Sequence, residues 1–369
     1  MTEAGVGESG GNAENGGTGD NGPWYLAPVA ELNHEMEALA RARQDSLTKP
    51  KGALGRLEEV AISLAGMQGR IDPRVKAPMV VVFAGDHGVV KEGVSLYPQS
   101  VTAEMLRNFS RGTAAITVLA RSMRCPFQVV NVGTVEPVEE LPNVVDKRIA
   151  AGAANVCREE AMTLEQFEKV MAVGKAVIDA APEDTDCFIG GEMGIGNSTI
   201  AAALAVAHTG LAANAMVGPG TGVDKQGVAK KVATVTRIVG KHLPHIQRGA
   251  YALQRIGGFE LSALAAAYIR AAQKGIPSLV DGYIATAAAV SAMQVNPGVR
   301  DWLFFSHCSA EPGHRKLLAK LDAEPLLDLD LALGEGSGAA LALPMLKAAC
   351  NLHNHMATFE EAGVSQALS

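Results

Sequence analysis

Two carboxylates sit among glycines, where a side chain with chemistry to do would gain close approach to a ligand. Glu335 lies in Gly334-Glu335-Gly336-Ser337-Gly338, at the end of an alternating apolar run that begins at Leu326, and Glu192 lies in GGEMGIGNST, Gly190 to Thr199. Alone, Glu335 reads either as a turn residue facing water or as a general base whose pKa is raised by apolar neighbours such as Leu331 and Leu333. From Gly191 the second loop has the spacing of a P-loop, with Asn197 where the lysine belongs. That lysine neutralises the β- and γ-phosphates, so its absence argues against nucleoside triphosphate hydrolysis. Backbone N–H groups at the start of a helix can still cradle a single phosphate. The plainer alternative is a helix start whose glycines serve packing. A second loop, GPGTGVDKQG from Gly218 to Gly227, has the same character and offers Thr221 and Lys225 to a phosphate or ribose. Neither loop is a G-x-G-x-x-G in the order a nicotinamide dinucleotide fold requires.

Asp86-His87 ends the run APMVVVFAGDHG, and the polar tips of Ser95, Tyr97 and Gln99 follow on a loop able to line a pocket for an aromatic base. A metal reading of Asp86 and His87, with His307, Cys308 and His314 as remote partners, lacks any ligand spacing. Hydrogen bonds that order a loop at a strand end suit the pair better. A Ser-His-acid nucleophile is disfavoured, because Ser337 does not sit in a G-x-S-x-G elbow.

The elements that must position these residues follow an alternating plan. Short continuous apolar runs ending in glycine or polar residues recur in APMVVVFAGDHG, PFQVVNVGT, DCFIGGEMGIGNST, NAMVGPGTG, IPSLVDG and DWLFFSHCSAEPGH. Helical patterns intervene over 100–123, 165–181, 258–275, 283–294 and 314–322. Strand, loop and helix in repetition predict an α/β fold with a mainly parallel sheet. In such folds ligands sit beyond the carboxyl ends of the strands, which is where Asp86, Glu192, Asn197, Asp281, Ser306, His307 and Glu335 fall. Two earlier helices, broken at Pro50 and Gly52, predict a smaller helical domain over 24–72, joined by 348–369, beside a large α/β domain over 73–347.

Composition narrows the function classes. The chain has 369 residues, 48% hydrophobic and 19% charged, with a net charge of −7. An acidic balance argues against a broad nucleic-acid footprint, and no apolar run predicts a membrane span. Aromatics are only 4%, so helices should pack through small side chains. Five cysteines without a C-x-x-C pair read as reduced thiols of a cytoplasmic protein. Residues 1–23 are Gly-rich and acidic, without the basic start and apolar middle of a signal peptide, and read as a disordered tail.

In order, the segments DSLTKPKGALGRLE, FAGDHGVVKEGVSLYPQSVTAEMLRNFSRGTAAI, GGEMGIGNSTIAAAL, VGPGTGVD, LQRIGGFELSALAAA, DGYIATAAA, SHCSAEPGH and LGEGSGAALALP resemble the nicotinate-nucleotide–dimethylbenzimidazole phosphoribosyltransferase family. The resemblance covers nearly the whole chain beyond the tail. It implies a Rossmann-like large domain, a small helical domain, a homodimer, and no metal or cofactor. It also implies transfer of the phosphoribosyl group of nicotinate mononucleotide to a benzimidazole base. Glu335 matches the family's catalytic base, and Glu192 an active-site glutamate near ribose and base. Gly191, Gly194, Gly196, Asn197, Ser198, Gly218, Gly220, Thr221 and Lys225 fall in the segments resembling the phosphate and ribose contacts. Asp86, Ser95, Tyr97, Gln99, Met193 and Leu333 are the candidates for the base pocket.

The chemistry fits that reading independently. A pyridinium is already a good leaving group, so no acid is needed at the departing nitrogen. The acceptor nitrogen must lose its proton, so one base is needed, and a second carboxylate could stabilise positive charge on the ribose. NVVDKRIA lacks the paired acids and Thr-Gly of enzymes that use a pyrophosphorylated ribose with magnesium. Transfer to another aromatic acceptor (adenine or a phenol) and a non-catalytic nucleotide-binding protein are the alternatives.

Overall fold

Pro-Met-Val-Val-Val-Phe-Ala-Gly, residues 78–85, is buried at every position, as a strand must be when both faces of its sheet are covered. In the computed structural model, which describes residues 22–365 apart from Thr221, Gln247 and Arg248, this run is the strand β1 (Pro78–Gly85). With it stand β2 (Phe127–Gly133), β3 (Val144–Asp146), β4 (Cys187–Met193), β5 (Ser278–Val280) and β6 (Leu303–Phe305). They form one six-stranded sheet in the order β3-β2-β1-β4-β5-β6, every pair parallel. This is a doubly wound order, which reverses between β1 and β4 and opens a crevice at their carboxyl ends. The expected mainly parallel α/β architecture is what the chain adopts.

Two expectations fail locally. The run NAMVGPGTG is not a strand. Its few apolar residues, Met216 and Val217, are buried at the end of a one-turn helix, and Pro219 follows at once. The alternating run from Leu326 gives only a two-residue strand, β8 (Leu327–Asp328), paired in parallel with β7 (His307–Cys308). Beyond it one further bond, Ala310 N–H to the Leu331 carbonyl at 2.8 Å, holds the chain. The N-terminal tail expected over 1–23 lies, except for Gly22 and Pro23, outside the described residues.

The helices are α1 (His34–Ser46), α2 (Arg56–Gln68), α3 (Ser100–Arg111), α4 (Ala115–Ser122), α5 (Leu164–Asp179), α6 (Asn197–Thr209), α7 (Ala213–Met216), α8 (Lys225–His242), α9 (Gly249–Ala252), α10 (Phe259–Gln273), α11 (Tyr283–Val295), α12 (Pro312–Lys320), α13 (Ser337–His355) and α14 (Phe359–Ala362). The alanine-rich α10 is buried almost throughout, lies on β1, β2 and β4, and carries α5 on its other side. Small side chains make that contact possible: a Cβ at Gly174 of α5 would stand 2.7 Å from the Ala266 Cβ. α8 was not foreseen, because valine, threonine and glycine give it a weak intrinsic preference. Its signal was Asp224, which caps it by accepting from Gly227 N–H at 2.9 Å.

α1 and α2 pack together, and α2 rests on α13. The Arg43 guanidinium donates to the carbonyls of His353, Asn354 and Met356 just beyond. α13 runs unbroken from Ser337 to His355, so the boundary expected after residue 347 falls inside one helix. Among the described residues no helix is long and apolar enough to cross a membrane.

Candidate active site

A cavity of about 410 Å³ opens beyond the carboxyl ends of β4 and β5. Glu192, Met193, Gly194 and Ile195 reach it from the end of β4, Asn197 and Ser198 from the start of α6, and Asp281 to Ala285 from the end of β5. Ser309 and Glu311 close one end, Ala332 to Glu335 form a strap across the other, and Tyr97, Val101 and Met105 supply an apolar wall. Tyr97 and Leu333 stand half exposed at the mouth.

Glu335 is buried on that strap in the left-handed region, at φ 68°. A non-glycine residue held there stores strain, a condition that clusters at active sites. The strap is pressed onto β4: Glu335 N–H donates to the Glu192 carbonyl at 3.3 Å. A Cβ at Gly191 would stand 2.8 Å from the Gly336 nitrogen, so glycine is required beneath it. N–H groups at the start of a helix lower the pKa of a nearby carboxyl, and two of those at the start of α13 are taken by another acid. Those of Gly336 and Ala339 go to the buried Asp281 carboxylate, at 3.1 and 2.9 Å. Burial therefore dominates and pushes the Glu335 carboxyl up to about 7, against the Ile116 N–H and with a small further push from Asp281. Its Oε2 is buried and has no hydrogen-bond partner among the described residues. Such an acid is poised to accept a proton from a ligand near neutral pH.

Asp281 thus holds the helix start that follows Glu335. Replacing it with alanine would strand two buried N–H groups, each costing about 1–3 kcal/mol. Asp281→Ala is expected to lower the melting temperature by several degrees, and a thermal melt identical to that of the parent protein would refute the capping role.

Glu192 is the second acid, wholly inside the cavity wall and bonded by the Asn197 amide. Burial, then the charges of Glu260 and Asp281, hold its carboxyl well above the ordinary range, and Asn197 pulls the other way. A cation placed against it would restore the ionised form.

At the far end lies a group that the spacing of the glycine loops did not single out. Lys231 of α8 is buried, and its Nζ donates to Ser198 Oγ at 3.1 Å and to the Gly218 carbonyl at 3.2 Å. Burial lowers its pKa while Glu311 opposes the shift. Burial likewise raises Glu311, with Lys231 and the Gly220 N–H pulling it back. Ser198, Gly220, the start of α6 and this ammonium are groups of the kind that can bind an anion, with the Gly220 N–H turned to Glu311. Lys225, the expected cation, is instead exposed in the first turn of α8. Thr221 lies outside the described residues.

The structure brings Glu335, Glu192, Met193, Gly194, Asn197, Ser198, Gly220, Tyr97 and Leu333 together around one cavity. Other expected residues stand behind it. Asp86 is fully buried and accepts from Thr102 Oγ1 at 2.6 Å and Val135 N–H at 2.8 Å, so it orders loops and does not face a base. Gln99 donates to the His87 carbonyl at 3.1 Å, and Ser95 turns onto its own loop at the Tyr97 carbonyl. Gly191 and Gly196 shape the backbone beneath the strap and at the start of α6, and Gly218 carries the carbonyl that Lys231 grips. Of the histidines weighed for a metal, His87 is engaged with Glu260 and His314 with Ser309 and Thr286, while both ring nitrogens of His307 lack a hydrogen-bond partner among the described residues and its Nε2 stands 3.4 Å from Asp281.

Similarity to known proteins follows the same plan. The family profile described as phosphoribosyltransferase matches residues 29–364. A nicotinate-nucleotide–dimethylbenzimidazole phosphoribosyltransferase of Pseudomonas aeruginosa (strain LESB58) is 53% identical over 343 residues, which is 93% of this chain and 98% of that protein. The protein of the same name from Azotobacter vinelandii is 51% identical over 346 residues, covering 93% and 98%. The crystal structure of CobT from Thermus thermophilus superposes with a TM-score of 0.87 at 46% identity, over 90% of this chain and 100% of that one. With its doubly wound sheet, its glycine-bound acids and this likeness along nearly its whole length, the chain belongs to the nicotinate-nucleotide–dimethylbenzimidazole phosphoribosyltransferase family.

Proposed function

We propose that this chain moves the 5-phosphoribosyl group of nicotinate mononucleotide to 5,6-dimethylbenzimidazole, giving α-ribazole 5′-phosphate and nicotinate. The observation that carries the reading is Glu335, a buried carboxyl with one unpartnered oxygen in the wall of an apolar cavity, where Ser198 of the same wall is held by a buried ammonium. The ribosyl phosphate sits at Lys231, Ser198 and Gly220, and the flat acceptor between Met193, Met105, Tyr97 and Leu333. The acceptor nitrogen attacks C1′. The C1′–N bond to nicotinate breaks, and its electron pair stays on the pyridine nitrogen and cancels the pyridinium charge. Glu335 takes the proton that the acceptor N–H releases. Glu192, ionised by the bound cation, faces the positive charge that grows on the ribose. The enzyme acts as a homodimer in the cytoplasm, with residues 24–72 and 348–369 as a helical lobe beside the catalytic one.

Incubation with nicotinate mononucleotide and a panel of aromatic bases, followed by nicotinate release and product mass, tests the reading. Release with dimethylbenzimidazole is expected. Release only with adenine or a phenol would replace the acceptor, and binding without release would remove the catalytic role.

A further inference from the structure

Glu311 stands at the end of the cavity that carries the groups able to bind an anion, and the reaction as described gives it no task. It occupies the N-cap position of α12, yet its side chain caps nothing there. The half-buried carboxylate is laid instead over the loop from Gly218 to Gly220. A Cβ at Gly218 would overlap Oε2 and stand 3.1 Å from Cδ, and the Gly220 N–H donates to the same carboxylate. Lys231 braces that loop too. Its ammonium holds the Gly218 carbonyl at 3.2 Å, and a Cβ at Gly220 would stand 2.8 Å from Nζ and 2.9 Å from Ser198 Oγ. A negative side chain thus sits in the corner where a buried cation, a hydroxyl and a backbone donor meet. Beside it lies a second hollow of about 430 Å³, which Glu311 shares with Ser309 and which Arg315, Lys316, Asp328 and Asp330 line.

We infer that Glu311 is a stand-in for the ligand's phosphate: it takes the Gly220 N–H until an incoming phosphate claims that donor, and then turns into the second hollow toward Arg315 and Lys316. The inference rests on the reading given above, which sets the phosphate against Lys231, Ser198 and Gly220. A carboxylate and a phosphate repel when they share one corner, and a long side chain on a fixed helix start can leave by rotation alone. The hollow offers it cations. Arg315 is exposed and bonded to Asp328 at 2.6 Å, and its guanidinium keeps further donors. Two other groups of the wall are already committed. The Tyr283 hydroxyl donates to the Met216 carbonyl at 2.8 Å, and Ser309 Oγ is bonded to His314 Nδ1 at 2.9 Å. Moving Glu311 aside costs the same for every anion. A free inorganic anion has no other contact to offset that cost, whereas the nucleotide has its ribose and base, so the corner discriminates against small anions.

The test is the affinity of the full-length protein for inorganic phosphate, measured by calorimetry. Glu311→Ala is expected to bind it about 10- to 150-fold more tightly than the parent protein, the worth of a hydrogen bond to a charged group. Glu311→Gln should gain less, because its amide remains a neutral acceptor for the Gly220 N–H. A side chain that only supports the loop, or that stays to hold the ligand, predicts weaker or unchanged binding, and either result would overturn the inference. Asp330→Asn removes an exposed acid from the same hollow and controls for charge alone, with an expected change of less than about twofold. A gain there equal to that of Glu311→Gln would overturn the inference as well. Arg315→Gln is expected to weaken phosphate binding in the parent and not in the Glu311→Ala background, where no carboxylate remains to be received. Equal losses in both backgrounds would overturn the turned position, and phosphate binding in none of the proteins would overturn the stand-in altogether. None of these readings needs turnover. The expected pattern without nicotinate release would keep the stand-in and remove the proposed reaction, and nicotinate release with unchanged phosphate affinities would do the reverse.

Discussion

Glu335→Gln is expected to lose about 10²- to 10⁴-fold in kcat, the range for removal of a positioned general base, with nicotinate mononucleotide binding retained. The amide keeps the size and shape of the side chain on its strained strap, so only proton acceptance is lost. The pH dependence gives a sharper check. A general base works ionised, and the Glu335 carboxyl is pushed up to about 7. In the parent protein kcat/KM should therefore climb with pH through the neutral range, and this limb should vanish in the variant. Stability carries the same signature with the opposite sign. The unfolded chain gives up this proton near 4.5 and the folded one near 7. Between those values the unfolded state binds fewer protons, so the term favours the folded state at low pH and disappears as pH rises. The ligand-free variant should thus lose less melting temperature between pH 5 and pH 8 than the parent. A variant with parental turnover would show that another group takes the proton.

Lys231→Met is expected to raise the KM for the nucleotide by about 10- to 150-fold, as loss of a charge-assisted hydrogen bond worth about 1.5–3 kcal/mol predicts. Methionine keeps the apolar stem packed in the helix interface, so the fold is spared. Lys225→Met is the internal control, since that side chain is exposed in the first turn of the same helix. Its effect on KM should be less than twofold. Saturation curves for both variants decide the matter, and equal effects would return the anion site to the loop.

That contrast also shows where reading the sequence stops. β1 and β4 were legible because continuous apolar runs ending in glycine have few other uses. Glu335, with glycine on both sides, and Glu192, directly after two glycines, were legible because an acid set among glycines is a local feature. Lys231 was hidden among Lys225, Lys230 and Lys241, and only its helix phase separates it from them. Val228, Val235 and Ile238 lie three before, four after and seven after it, which puts the ammonium on the buried stripe. Once α8 is seen to be a helix, that phase could have picked it out. Asp281 was visible as a polar residue at a strand end, but its partners, the N–H groups of Gly336 and Ala339, are far away in sequence. Asp86 shows the reverse error. Its place after β1 suggested both a loop-ordering residue and a pocket candidate, and the Thr102 and Val135 contacts, which fill its acceptors, favour the first.

The short β7–β8 ladder has a mechanical meaning. His307 and Cys308 pair with Leu327 and Asp328, and Ala310 is bonded to Leu331. Glu311 therefore leaves this ladder at one point, and the strap bearing Glu335 leaves it a few residues further on. The segments that carry Glu311 and Glu335 are thus fastened to one small plate, so a displacement of the ladder moves both. Such a plate acts as a shared anchor: a substitution that loosens the ladder is felt at Glu311 and at Glu335 alike.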